Sequence, residues 1–161
     1  MDQHAPSTRP RVIAVGCDHA GYPLKPDLLA HLEALGWRVT DVGTHSATER
    51  VDYPDFAALA CAEVVAGRAR FALLICGTGI GISIAANRNP AIRCAHASEP
   101  TTARLTREHN DANALALGAR MIGSALATDI LDAFLEGQFE GGRHTARVAK
   151  LTPAFSQDTL A

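Results

Sequence analysis

The sequence lacks a surplus of charge of either sign: 15 Lys and Arg stand against 17 Asp and Glu, a formal net charge of −2. Such a balance gives no general attraction to nucleic acid or anionic lipid, so bound anions must be met by locally placed cations. Long apolar runs are missing as well. None approaches the roughly 20 residues that cross a bilayer, and Met1 to Pro10 holds no apolar core of a secretory signal. The four cysteines, Cys17, Cys61, Cys76 and Cys94, make no Cys-x-x-Cys pair and no zinc spacing. Disulfides and a structural metal are therefore not expected, and the chain reads as cytoplasmic. Internal repeats, low-complexity tracts and interdomain linkers are absent too. What remains, 161 residues at 47% hydrophobic and 20% charged, suits one soluble globular domain. We expect a disordered arm over 1–10, a single domain over 11–151 and a frayed tail over 152–161.

The stretch from Leu73 to Asn87 is the most informative. An apolar run ends at Cys76. Gly77, Gly79 and Gly81 follow at alternate positions, and small residues then open a helix. That order reads as a buried strand, a tight turn and a helix N-terminus, able to cradle an anion with a thiol beside it. It is not a Walker A loop, because no Gly-Lys-Ser/Thr ends it, nor is it Gly-x-Gly-x-x-Gly. Tight strand–helix packing would explain the glycines but not the cysteine and threonine at the turn's mouth.

Similar punctuation runs along the chain. Strands are expected over 11–17, 37–43, 71–76, 92–96 and 114–119. Helices are expected over about 22–35, 53–66, from the glycine turn to about 87, 99–109 and 124–135, with a short helical turn over 145–150. Five apolar strands alternating with helices predict an α/β fold. Its form is a three-layer αβα sandwich on a five-stranded parallel sheet, flavodoxin- or Rossmann-like. Such sheets bind ligands at the carboxyl ends of their strands, which directs attention to Asp18 and His19, to Cys76 with its glycines, and to His96 through Glu99. Singly, His19, His109 and Arg143 fit an idle turn, a helix C-terminus and a solvated basic turn. Cys61 and Cys94 read as core. Together the polar groups supply the cations, acid, thiol and anion cradle of a sugar-phosphate site.

Six blocks carry a more specific signal: Gly16 to Gly21, Asp52 to Pro54, Leu74 to Gly81, Ala85 to Asn87, Arg107 to Asn113, and Gly141 to His144. In order and spacing, from about Arg11 to Leu151, they resemble the type B ribose-5-phosphate isomerases and their galactose- and allose-6-phosphate relatives. The resemblance implies an aldose–ketose isomerase that uses no metal or other cofactor, acts on a phosphorylated sugar, and works as a homodimer or dimer of dimers with shared sites. It makes Cys76 the base that moves a proton between C1 and C2. Some relatives use a glutamate after the glycine loop, where this chain has Ile82. Thr78 would assist proton movement, and the amides of Gly77, Thr78, Gly79, Ile80 and Gly81 would hold the enediolate. The same resemblance makes His109 the ring-opening acid and Asp18 a partner for sugar hydroxyls. His19, Arg143 and Arg147 become phosphate ligands, with Asn110 and Arg120 as further contacts. Thr101 stands where many relatives carry an aromatic residue, so a hexose or tetrose phosphate is an alternative substrate. A non-catalytic sugar-phosphate-binding protein is another, one that would need the arginines but not the base.

Overall fold

A computed structural model describes residues 10–151. The arm expected before Pro10 and the tail expected over 152–161 lie outside the described residues. Five parallel strands form one sheet in the order β2-β1-β3-β5-β4: β1 Val12–Cys17, β2 Arg38–Asp41, β3 Phe71–Cys76, β4 Cys94–His96 and β5 Ala114–Gly118. The helices between them are α1 Lys25–Ala34, α2 Tyr53–Val65, α3 Ile80–Ala86, α4 Pro100–Asn110 and α5 Ser124–Glu136, with α6 Arg143–Ala149 last. The α/β expectation holds. Strands β1, β3 and β5 are buried at every position, as central parallel strands covered on both faces must be.

Side-chain alternation divides the core in two. Ile13, Val15, Phe71, Leu73, Ile75, Leu115 and Leu117 meet Leu28 and Leu32 of α1 and Ile130, Leu131 and Phe134 of α5. Phe71 anchors this layer, with Trp37 at 6.0 Å and Phe134 edge-on at 5.3 Å between ring centroids. The opposite face is built of small residues, Ala14, Ala72, Ala114 and Ala116, against Ala57, Ala60 and Cys61 of α2 and Ile82 and Ala86 of α3. Small side chains let these two helices approach closely, and α3 is the helix that follows the glycine turn.

Where elements differ from expectation, backbone hydrogen bonding explains it. The first helix is split, because Tyr22–Leu24 forms a 3₁₀ turn before α1 begins at Lys25. Pro23 and Pro26 have no N–H to donate and fit only such opening turns. Strand β4 starts at Cys94 rather than Ile92, since the Arg93 N–H donates to the Asn113 side chain at 2.8 Å. The outer edge of β4 is occupied by Asn87, whose amide receives the Cys94 N–H and donates to the Cys94 carbonyl, both at 2.9 Å. Helix α6 begins at Arg143, two residues earlier than expected, because the chain turns at Gly141 and Gly142 just before it.

All four cysteines are free thiols. Burial pushes the Cys61 thiol from an ordinary 9.0 to about 11. Burial also takes Cys17 to about 12, partly offset by the Lys25 ammonium. In the unfolded chain both lose their protons near the ordinary value, while the folded chain keeps them. The native state then binds more protons, so stability is complete below that value and falls as pH rises through it toward 11. Urea midpoints are expected to drop between about pH 8 and about pH 10.5, and to drop less in Cys61→Ala.

Candidate active site

Strand order reverses between β1 and β3, and ligands of open α/β sheets bind at the carboxyl ends beside that switch point. Asp18 and Cys76 stand there together. The Asp18 N–H donates to the Ile75 carbonyl at 3.2 Å, and its carboxylate accepts the Gly21 N–H at 2.8 Å. Its side chain is buried. His19 accepts the Val51 N–H on Nδ1 at 3.2 Å, which ties the loop before α2 to the end of β1.

Cys76, 4% exposed, ends β3, and the Gly79 N–H donates to its sulfur at 3.2 Å. That contact needs the tight turn at Gly79, whose φ of 78° lies in the left-handed region open to glycine. Thr78 is exposed beside it, its hydroxyl accepting the Ile80 N–H at 3.3 Å. The loop then runs over the end of β5. A Cβ on Gly118 would come 2.5 Å from the Thr78 carbonyl carbon and oxygen, so only glycine admits the crossing. Two amides beyond Gly118 bind the loop from below: Ala119 donates to the Cys76 carbonyl and Arg120 to the Gly77 carbonyl, both at 2.9 Å. The Arg120 guanidinium lies over Gly77, 3.4 Å from where a Cβ would sit, and the Tyr53 ring covers Gly81. Asp18, His19, Cys76, Thr78, the glycine turn and Arg120 are thus gathered at one end of the sheet.

His109, Asn110, Arg143 and Arg147 are at the other end. Helix α4 leaves the carboxyl end of β4 and returns to the amino ends, where Asn113 donates its N–H to the Arg93 carbonyl before β5 begins. Cys76 pairs with Gly118 and Ala72 with Ala114, which sets the two ends about 13 Å apart along the strands. Asp111 holds the turn after α4 in a left-handed conformation, φ 45°. Two arginines secure it: Arg93 reaches its carboxylate at 2.9 Å and Arg107 at 2.8 Å. The His109 ring stacks on His144 of α6, 4.4 Å between centroids and 6° from parallel. Arg143 donates from Nε to His144 Nε2 at 3.3 Å. Burial first, then the charges of His109, Arg143 and Arg147, hold the His144 imidazole below its usual range, with Glu140 opposing. His109, His144 and Glu140 bring their ligand atoms within 4.8 Å of one another, a grouping of the kind that can hold a metal ion. Arg143 and Arg147 are exposed on α6.

Four residues of these two clusters, Tyr53, Gly118, Glu140 and His144, have no role assigned from sequence, and His96 is marked there only by its place at a strand end. Gly118 had a signal, a glycine closing an otherwise apolar strand. Glu140 and His144 had another, their spacing of four. A cavity of about 500 Å³ beside β4 is lined by Arg93, Cys94, Thr106, Asn110 and Leu151, among others, and by none of the carboxyl-end set.

A parallel sheet with a cysteine and a glycine turn at its switch point defines an α/β protein with a ligand site at the strand ends. The family model described as Ribose/Galactose Isomerase matches residues 13–151, so the chain belongs to that family of isomerases. It is 51% identical over 140 residues to ribose-5-phosphate isomerase B of Escherichia coli strain K12, covering 87% of this chain and 93% of that protein. Among solved structures, ribose-5-phosphate isomerase B of Clostridium thermocellum superposes with a TM-score of 0.86 at 49% identity, over 88% of this chain and 95% of the other. The enzyme of Thermotoga maritima gives 0.85 at 46% identity, over 88% and 97%.

In this setting Gly118→Ala is expected to lower kcat about 100-fold, because a displaced loop misplaces both the sulfur and the Gly79 amide. Steady-state assays beside circular dichroism of the variant check it, the fold being expected to survive.

Proposed function

We propose that the chain interconverts ribose 5-phosphate and ribulose 5-phosphate through a cis-enediolate, with Cys76 as the base. The observation that carries this reading is the placement of the Cys76 sulfur at the switch point, facing the Gly79 amide and beside Asp18. In the opened sugar, the Cys76 thiolate takes the proton from C2. The electron pair moves to the carbonyl at C1 and charge develops on its oxygen. Preorganised amides stabilise such charge best, and the Gly77–Gly81 turn carries amides on a fixed backbone besides those of Gly79 and Ile80, which donate to the Cys76 sulfur and the Thr78 hydroxyl. Thr78 carries the proton between the two oxygens, and Cys76 returns its own proton to C1. Asp18 holds hydroxyls of the chain. The phosphate, remote from the reacting carbons, supplies orientation through His19, Arg143 and Arg147, with Asn110 and Arg120 as further contacts to the sugar phosphate.

His109 would open the furanose ring, yet within one chain it stands at the far end of the sheet from Cys76. The reading therefore includes a homodimer, or a dimer of dimers, in which the His109, Asn110, Arg143 and Arg147 end of one copy meets the Cys76 end of another. Ile80 and Ile84 support it: large apolar side chains, 52% and 56% exposed, on the helix directly after the catalytic turn. Four free thiols fit a reducing compartment, and we place the enzyme in the cytoplasm. Among the described residues, no helix is long and apolar enough to cross a membrane.

The test is proton exchange at C2 in deuterated water, together with kcat/KM for pentose, hexose and tetrose phosphates. Ribose 5-phosphate is expected to exchange and to have the highest kcat/KM. A hexose or tetrose phosphate in first place would reassign the substrate and make the room left by Thr101 the reason. Tight binding of the sugar phosphates with no exchange would reduce the chain to a binding protein.

A further inference from the structure

The residue His96 ends β4, in register with Ala116 of β5, and its side chain is exposed. It has no part in the chemistry above, yet its ring fills the place a side chain on Gly79 would occupy. A Cβ added at Gly79 would come 2.6 Å from His96 Cδ2, 2.9 Å from Nε2 and 2.9 Å from the Leu117 carbonyl carbon. Gly79 is thus packed closely against both the His96 ring and the backbone of β5. Its N–H is the one that meets the Cys76 sulfur, and its carbonyl accepts the Ser83 N–H at 3.3 Å in the first turn of α3. The Gly118 crossing supports the loop from beneath. The ring closes it from the β4 side.

We propose that His96 is a positioning residue: its ring is one jaw of a clamp that keeps the Gly79 amide on the Cys76 sulfur. The inference rests on Cys76 as the base for its kinetic consequence, but the clamp itself is a property of the free enzyme. The role is one of shape. A side chain of similar bulk without a titratable nitrogen serves as well, and a methyl group does not.

Two variants decide it, His96→Ala and His96→Leu, each read by steady-state kinetics and by amide hydrogen exchange of the peptide spanning residues 77–81. His96 lies at an exposed edge, so both variants keep the core, which urea unfolding verifies. In His96→Ala, kcat is expected to fall roughly 10–100-fold, the scale of losing one well-aligned hydrogen bond to a charged group. KM should change less than about twofold, since the amide acts on the base and not on the distant phosphate. Exchange in the loop should quicken. His96→Leu should restore both readings to near wild type. The clamp is overturned if His96→Ala keeps wild-type kcat and loop exchange. It is equally overturned if His96→Leu is as poor as His96→Ala, because the imidazole itself would then matter. If the wild-type chain shows no turnover, the assignment of Cys76 fails, and loop exchange still judges the clamp on its own.

Discussion

Cys76→Ala is expected to lower kcat for ribose 5-phosphate by about 1000-fold, the middle of the range for removing a positioned general base. KM should stay within about threefold, because alanine leaves the phosphate and hydroxyl contacts in place and removes a group that acts mainly in the transition state. The loss has a local cause. Cys76 ends a strand buried at every position, and its sulfur is held by the Gly79 N–H at 3.2 Å. No other thiol can replace it: burial holds the Cys17 proton to about 12, and Cys17 donates to the Asp18 carbonyl at 3.0 Å. Deuterium exchange at C2 should vanish along with turnover. An alanine variant that still isomerises at near the normal rate would move the base elsewhere, and the enediolate mechanism with it.

Mixing two inactive variants is expected to give activity back. In the proposed mechanism His109→Asn removes the ring-opening acid and Cys76→Ala the base. If each site takes Cys76 from one copy and His109 from another, a mixed dimer carries one site with both groups intact and one with neither. Random re-pairing after gentle dissociation should recover about a quarter of wild-type activity: half of the dimers are mixed, and each has one working site of two. The separation of the two clusters requires this outcome for a shared site. Asp111, secured by Arg93 and Arg107, fixes His109 at the amino ends of the strands, and no rotamer carries its ring across the sheet to Cys76. Ring opening can be isolated by comparing turnover of the cyclic sugar with that of the open-chain form. His109→Asn should be rescued in part by the open form, whereas Cys76→Ala should not. Mixtures that stay inactive would require both groups to act within one chain, or His109 to have no part in the reaction.

Much of the architecture could be read from residues alone, because central parallel strands are apolar throughout and stop at glycine, cysteine or aspartate. Strand β3 falls on its expected bounds, and β1 starts one residue later than expected. The edge strands were harder. Arg38–Asp41 and Cys94–His96 are short, and where each begins depends on hydrogen bonds from distant residues such as Asn113. No neighbouring residue in sequence marks Lys25 as buried. It is 3% exposed, paired with Asp41 at 2.7 Å and bonded to the Thr44 carbonyl, a tie that spans 19 residues of sequence. Cys76, Thr78 and the glycines stood out because they are contiguous. The division of the site residues between the two ends of the sheet did not, since it follows from the direction of α4 and not from any motif. The contact of His96 with Gly79 did not either, since it arises only because the loop crosses β5 toward β4.

The side-chain amide of Asn87 has a consequence beyond catalysis. It presents a donor and an acceptor to Cys94 with the spacing of a neighbouring strand, and so satisfies both outward-facing backbone groups of that residue. An open edge invites another chain to extend the sheet, and short, occupied edges are how soluble proteins resist ordered aggregation. Here the guard is the residue that caps α3, the helix after the glycine turn. The β4 edge is therefore closed to a second chain at Cys94 for as long as that helix stays folded.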